Sequence, residues 1–212
     1  MCSIRTAESV CAGHPDKLAD QIADQILDDI LYDDKAARVA VEVMAAGRRI
    51  IVTGEITTNH RPRIRESVRT ALARAGYSPL GILIYVWTRR QSSDINAGVT
   101  TSLEARGGDS SAFALQGAGD QGTVYGYATA ETPERLPLPL VLAHRICERL
   151  DTAQVEGTIC GIKSDGKAQV SVRYDDTGAP AAVETVVVSV QHEAGKDLAV
   201  LEREAVSYTH LT

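Results

Sequence analysis

Aromatic side chains are scarce in this chain: one tryptophan, one phenylalanine and seven tyrosines make up 4% of 212 residues. That is too few for the stacking platforms that hold single-stranded nucleic acid. Cysteine is thin as well. Cys2, Cys11, Cys147 and Cys160 form no C-x-x-C pair, which excludes the common zinc spacings and favours reduced thiols over a disulfide framework. No apolar leader follows Met1, and the longest apolar run, around Leu80 to Trp87, falls far short of a bilayer span. Positive charge does not dominate either. The formal charge of -6 argues against a broad nucleic-acid surface. Arg61, Arg63, Arg65, Arg69 and Arg74 cluster in one segment, where they read as the solvated face of a helix. These absences lead to the expectation of a cytoplasmic protein with no nucleic-acid or membrane partner.

What is present is a globular composition, 44% hydrophobic and 24% charged, sufficient for one large domain or two small ones. In GHPDKLADQIAD, residues 13–24, an amphipathic helix begins: Leu18, Ile22, Ile26 and Ile30 share one face and Asp20, Asp24 and Asp28 another. Pro15 suits its first position, where the missing N–H has no partner to lose. RVAVEVM (38–44) and RIIVTGEIT (49–57), joined around Ala46 and Gly47, read as a hairpin. Ile64, Val68, Ala71, Leu72 and Ala75 mark a helix closed by Gly76, and GILIYVW reads as a buried strand.

From Arg89 to Gly122 no period is sustained, so a functional loop or crossing is expected. Thr123–Thr129 is strand-like, and a helix follows PLP with Leu140, Ala143, Ile146, Cys147 and Leu150 as its stripe. AQVSVRY (168–174) and VETVVVSVQ (183–191) flank a DDTG turn, and a last helix opens near Asp197. Hairpin followed by helix occurs twice, which predicts an α+β fold of repeated sheet-plus-helices units.

Several residues carry chemistry. His14, Asp16 and Lys17 sit where helix N–H groups point outward. They act either as caps or as a polyphosphate station in which Asp16 holds Mg²⁺. GAGDQG (117–122) fits G-x-G-x-x-G, but TVYGYAT after it has strand texture, and Asp120 would face a pyrophosphate, so the dinucleotide reading fails. A loop presenting Asp120 and Gln121 suits an amine-bearing ligand, or is simply a tight turn. Glu42 faces solvent or, if covered, needs a cation. Glu55 lies at a strand end. Asp165, Gly166 and Lys167 form a turn at a strand entrance, or a phosphate contact. His192 reads as a strand-end residue, and His60, His144 and His210 have no partner at metal-ligand spacing.

Taken in order, ESVCAGHPDKLADQIAD, GEITT, QSSDINAGV, GAGDQGTVYGYATAET, LPLPLVLAHRI, SDGKAQVSVRYD and VVVSVQH closely resemble the methionine adenosyltransferase (S-adenosylmethionine synthetase) family, from about Arg5 to His192. The resemblance implies pseudo-threefold-related α+β domains whose sheets pack across a homodimer or homotetramer. It also implies synthesis of S-adenosylmethionine from ATP and L-methionine, with the triphosphate hydrolysed to pyrophosphate and phosphate. His14 and Lys167 would be catalytic, with His14, Asp165, Gly166 and Lys167 binding ATP. Glu55, Gln91 and Asp120 would bind methionine, Asp16 would bind Mg²⁺, and Glu42 would sit at a K⁺ site.

The domains implied are residues 1–100 (N-terminal α+β), 101–122 (lid loop and glycine-rich crossing) and 123–212 (central α+β, incomplete at its end). Ser93 departs from the family's usual proline, and TVYGYA from its usual LMFGYA. Members of the family continue into a further, lysine-bearing domain, so the expectation is an N-terminal part, inactive alone, with SYTHLT a doubtful tail. The alternatives are a non-catalytic ATP-binding or regulatory paralogue, or another ATP-dependent phosphoryl-transfer enzyme.

Overall fold

The computed structural model describes residues 3–92, 103–111 and 123–208. Asp120, the GAGDQG loop, Ser93 and the residues after Tyr208 lie outside them. In chain order the elements are β1 (Ser3–Val10), α1 (Pro15–Asp33), β2 (Arg38–Ala46), β3 (Arg49–Thr57), α2 (Ile64–Arg74), β4 (Leu83–Arg89), α3 (Leu103–Arg106), α4 (Leu138–Glu156), β5 (Ile162–Tyr174), β6 (Pro180–His192) and α5 (Leu198–Tyr208). They form two compact units: residues 1–18, 72–78 and 126–212, and residues 19–71 and 79–125. Mixed α+β architecture with separate sheets is what the periodicities predicted.

The first unit is built on the antiparallel sheet β1-β5-β6. Along β5 every second residue from Ile162 to Tyr174 is buried, the period-two alternation of a strand with one covered face. The cover is α4. Its Ala143, Ile146, Cys147 and Leu150 pack with Ala168, Val170, Val172 and Tyr174. Gly157, in the left-handed conformation at φ 71°, ends α4, its N–H bonding the Ala153 carbonyl. Asp197 caps α5, its carboxylate accepting the N–H groups of Ala199 and Val200 at 2.9 and 3.2 Å.

The second unit holds the sheet β2-β3-β4. β2 and β3 are the expected hairpin, turning at Gly47 with φ 57°. β3 and β4 are parallel, which a crossover must connect, and α2 supplies it. Ile22, Ile26 and Ile30 of α1, Ile50, Val52 and Ile56 of β3, and Ile64, Val68 and Ala71 of α2 are buried. Two helical stripes and one strand face thus make the core.

Four sequence expectations are corrected. Residues 83–89 form a strand but not a buried one: Leu83, Tyr85 and Trp87 alternate outward on an edge strand, and Trp87 is 66% exposed. Thr123–Thr129 pairs with no strand among the described residues, and Val124 and Tyr125 are exposed. β-Branched and aromatic residues favour a strand only where a neighbour offers a ladder. Asp165, Gly166 and Lys167 are no turn. β5 runs through them, with a register shift against β6 between Ile162 and Gly166. The aperiodic connection also contains the short helix α3. No helix among the described residues is long and apolar enough to cross a membrane.

Candidate active site

The start of α1 is held against β5. The β1–β5 ladder ends with Val10 opposite Lys167, and two further bonds extend the pairing: Cys11 N–H to the Gly166 carbonyl at 2.9 Å and Gly13 N–H to the Ser164 carbonyl at 3.0 Å. Two glycines allow this approach. A Cβ on Gly13 would lie 2.4 Å from Ser164 Cβ, and one on Gly166 would lie 2.8 Å from Cys11 Sγ. Residues about 150 positions apart are therefore neighbours at one helix N-terminus.

His14 is three-quarters covered. Its Nδ1 accepts the backbone N–H of Asp16 at 3.2 Å. A neutral imidazole accepting at Nδ1 carries its proton on Nε2, which makes the outer nitrogen a donor. The Asp16 carboxylate is 89% exposed in the first turn of α1, 3.9 Å from His14. Lys17, expected as a donor for phosphate, turns back to bond the Val10 carbonyl. Lys167 pairs with Glu8. Asp165 is half-buried on the same strand face as Lys167.

Sequence reasoning missed the residues that brace this loop. Both oxygens of Asp151 accept the Ala12 N–H at 3.1 Å, and burial pushes the Asp151 carboxyl above the ordinary aspartate value. An aspartate four residues after buried Cys147 on a helix was the available signal. Tyr77 donates its hydroxyl to the Gly13 carbonyl at 2.6 Å, and burial followed by the nearby Asp165 charge raises its pKa. Ser9 Oγ and His144 Nδ1 lie 2.8 Å apart, which gives His144 the partner that its sequence context did not suggest. The Cys11 thiol is pushed up by neighbouring Cys147 and by burial.

The remaining candidates lie in the second unit. Glu55 is paired with Arg89 at 3.1 Å across the β3–β4 ladder. Gln91 sits at the same sheet end, where its Oε1 accepts from Arg38 Nε at 3.0 Å and its backbone N–H bonds Thr57 Oγ1 at 3.3 Å. Glu42 is exposed beside Ala40 and Met44 on the outward face of β2. Among the described residues no group of three or more His, Cys, Asp or Glu side chains is placed to hold a metal. A cavity of about 850 Å³ over β6, lined by Val183, Val186, Val188 and Leu201, is largely apolar and has no lysine or arginine in its lining to hold phosphate.

Fold and site together define an α+β protein with a polar, donor-bearing station at a helix start. The family model for the S-adenosylmethionine synthetase N-terminal domain matches residues 3–93, and the model for the central domain matches residues 115–209. The chain belongs to the S-adenosylmethionine synthetase family. It is similar to the S-adenosylmethionine synthase of Corynebacterium urealyticum, 45% identical over 196 residues that cover 89% of this chain and 49% of that protein. The S-adenosylmethionine synthase of Kosmotoga olearia is 48% identical over 195 residues, with the same coverages. That of Desulforudis audaxviator is 44% identical over 208 residues, or 95% of this chain and 52% of that protein. The chain spans about half the length of these curated relatives.

Proposed function

We propose that the protein containing this chain makes S-adenosylmethionine from ATP and L-methionine. The observation that carries the proposal is the junction of HPDK with SDGK: His14 and Asp16 start α1 while Lys167 stands opposite Val10, within two hydrogen bonds of the same loop. The start of α1, the outer His14 nitrogen and, from the strand beside it, Lys167 are the groups from which this reading builds an anion site. The methionine sulfur attacks C5′ of the ATP ribose, the C5′–O bond breaks, and the triphosphate leaves with the bonding pair.

His14 Nε2–H is the donor for the charge that grows on the leaving oxygen, an interaction worth roughly 3 kcal/mol in the transition state. Lys167 exchanges Glu8 for phosphate oxygens, while Asp165 and Gly166 line the nucleotide side. Hydrolysis of the triphosphate to pyrophosphate and phosphate completes the reaction.

Asp16 suits Mg²⁺, because a single exposed carboxylate on a helix start can share that ion with phosphates and water. The ion would neutralise triphosphate charge. Glu42 would supply one oxygen to K⁺. The described residues do not complete a cage around it. Glu55, Gln91 and Asp120 would hold methionine.

A homodimer or homotetramer belongs to the same proposal, supported by the outward sheet face on which Met44, Tyr85 and Trp87 are 52%, 40% and 66% exposed. The test is product formation by the full-length protein supplied with ATP, L-methionine, Mg²⁺ and K⁺. S-adenosylmethionine, pyrophosphate and phosphate in equal amounts are expected. ATP binding without product would instead favour the non-catalytic alternative.

A further inference from the structure

We infer that Arg89 receives the carboxylate of the amino-acid substrate while Glu55 receives its ammonium group, so that this pair selects free α-amino acids. The inference rests on the proposed function, which puts methionine at Glu55. Glu55 and Arg89 are direct partners in the parallel β3–β4 ladder, with Arg89 Nε 3.1 Å from Glu55 Oε1. The carboxylate is 21% exposed and the guanidinium 82%. The acid is therefore fixed at the sheet end and the base is free to turn. An ion pair of this exposure is weak, and a ligand displaces it readily.

An α-amino acid carries both charges on one carbon. Its ammonium, arriving at Glu55, meets the Arg89 cation beside it. A carboxylate on the same carbon converts that repulsion into attraction, since a guanidinium takes a carboxylate through two parallel N–H bonds. Two further observations favour an anionic end here. Gln91 Oε1 is held by Arg38, leaving its amide hydrogens to donate. A depression of about 520 Å³ beside Arg89, which Glu55 does not line, carries two further basic residues, Arg61 and Arg90.

The experiment compares L-methionine with L-methioninamide in initial-rate kinetics of the full-length protein, as wild type, Arg89→Ala and Arg89→Lys. Arg89→Ala is expected to raise KM for L-methionine about tenfold or more with kcat little changed, and to leave KM for the amide within about twofold. Arg89→Lys should recover part of the loss. Equal KM increases for both substrates would overturn the inference, because Arg89 would then only steady Glu55. No change for either would overturn it as well. A wild type that turns over neither substrate overturns the proposed function and this inference together; a wild type that makes S-adenosylmethionine with an unaltered methionine-to-amide ratio in Arg89→Ala overturns the inference alone.

Discussion

A methyl group at residue 13 has nowhere to go. Its carbon would lie 2.4 Å from Ser164 Cβ and 2.7 Å from the Ser164 carbonyl oxygen, and backbone atoms cannot swing aside as a side-chain tip can. Gly13→Ala should therefore destabilise the protein by about 1–3 kcal/mol and separate the α1 start from β5, lowering the thermal midpoint and ATP affinity together. An unchanged midpoint would show that the loop tolerates the added carbon.

Glu131 is a second residue with a defined signature. Burial pushes its carboxyl up, but hydrogen bonds from Tyr174 Oη at 2.5 Å, the Leu138 N–H at 3.1 Å and Thr129, with Arg5 nearby, outweigh burial and hold it below the ordinary glutamate value. A depressed folded pKa gives stability that is complete above the unfolded pKa and lost as pH falls through the folded one. The stability difference between wild type and Glu131→Gln should be about 1–2 kcal/mol near neutral pH. It should close as pH drops below 4.5, the ordinary value. Thermal melts across pH measure it; a difference constant with pH would contradict the assignment.

At the scale of elements, α4 bears the load of the first unit. Leu150 is 2% exposed among Cys147, Ala168 and Val170, so Leu150→Ala should cost about 2–5 kcal/mol, read as a shift in the denaturation midpoint. A shift below half a kcal/mol equivalent would mean that the site is not packed as described. Elements of this kind were legible in the sequence because burial on one face writes a period: 3.6 for α1, α2 and α4, and two for β2, β3 and β5.

β1 left no such record. Most of its side chains are exposed, and only the ladder with β5 makes it a strand. Residues 83–89 had strand composition, but composition does not reveal which face lacks a cover. Asp165-Gly166 had turn chemistry, yet the surrounding ladder prevailed. The site divides in the same way. Pro15 and the dipole-favoured Asp16 announced a helix start locally, whereas its meeting with Gly166, the brace from Asp151 and the Arg89 clasp on Glu55 depend on strand register, which no local pattern encodes.

For the molecule as a whole, the outward sheet face that exposes Met44, Tyr85 and Trp87 among charged residues such as Glu42 is the surface offered for self-association. If that face is the self-association surface, Trp87→Glu should reduce the mass seen by sedimentation at micromolar concentration while leaving the circular dichroism spectrum unchanged. The same mass in both proteins would assign association elsewhere. At the same scale, the proposed phosphate station joins the motifs at residues 14–17 and 164–167, which only the fold makes neighbours. The direct test is a double-mutant cycle on S-adenosylmethionine formation by the full-length protein with His14→Asn, Lys167→Ala and the double variant. Each single change should lower kcat/KM by about a hundredfold or more. The double variant should lose less than the product of the two, with a coupling of at least about 0.5 kcal/mol. Strictly multiplicative losses, or singles that retain full activity, would contradict a shared station.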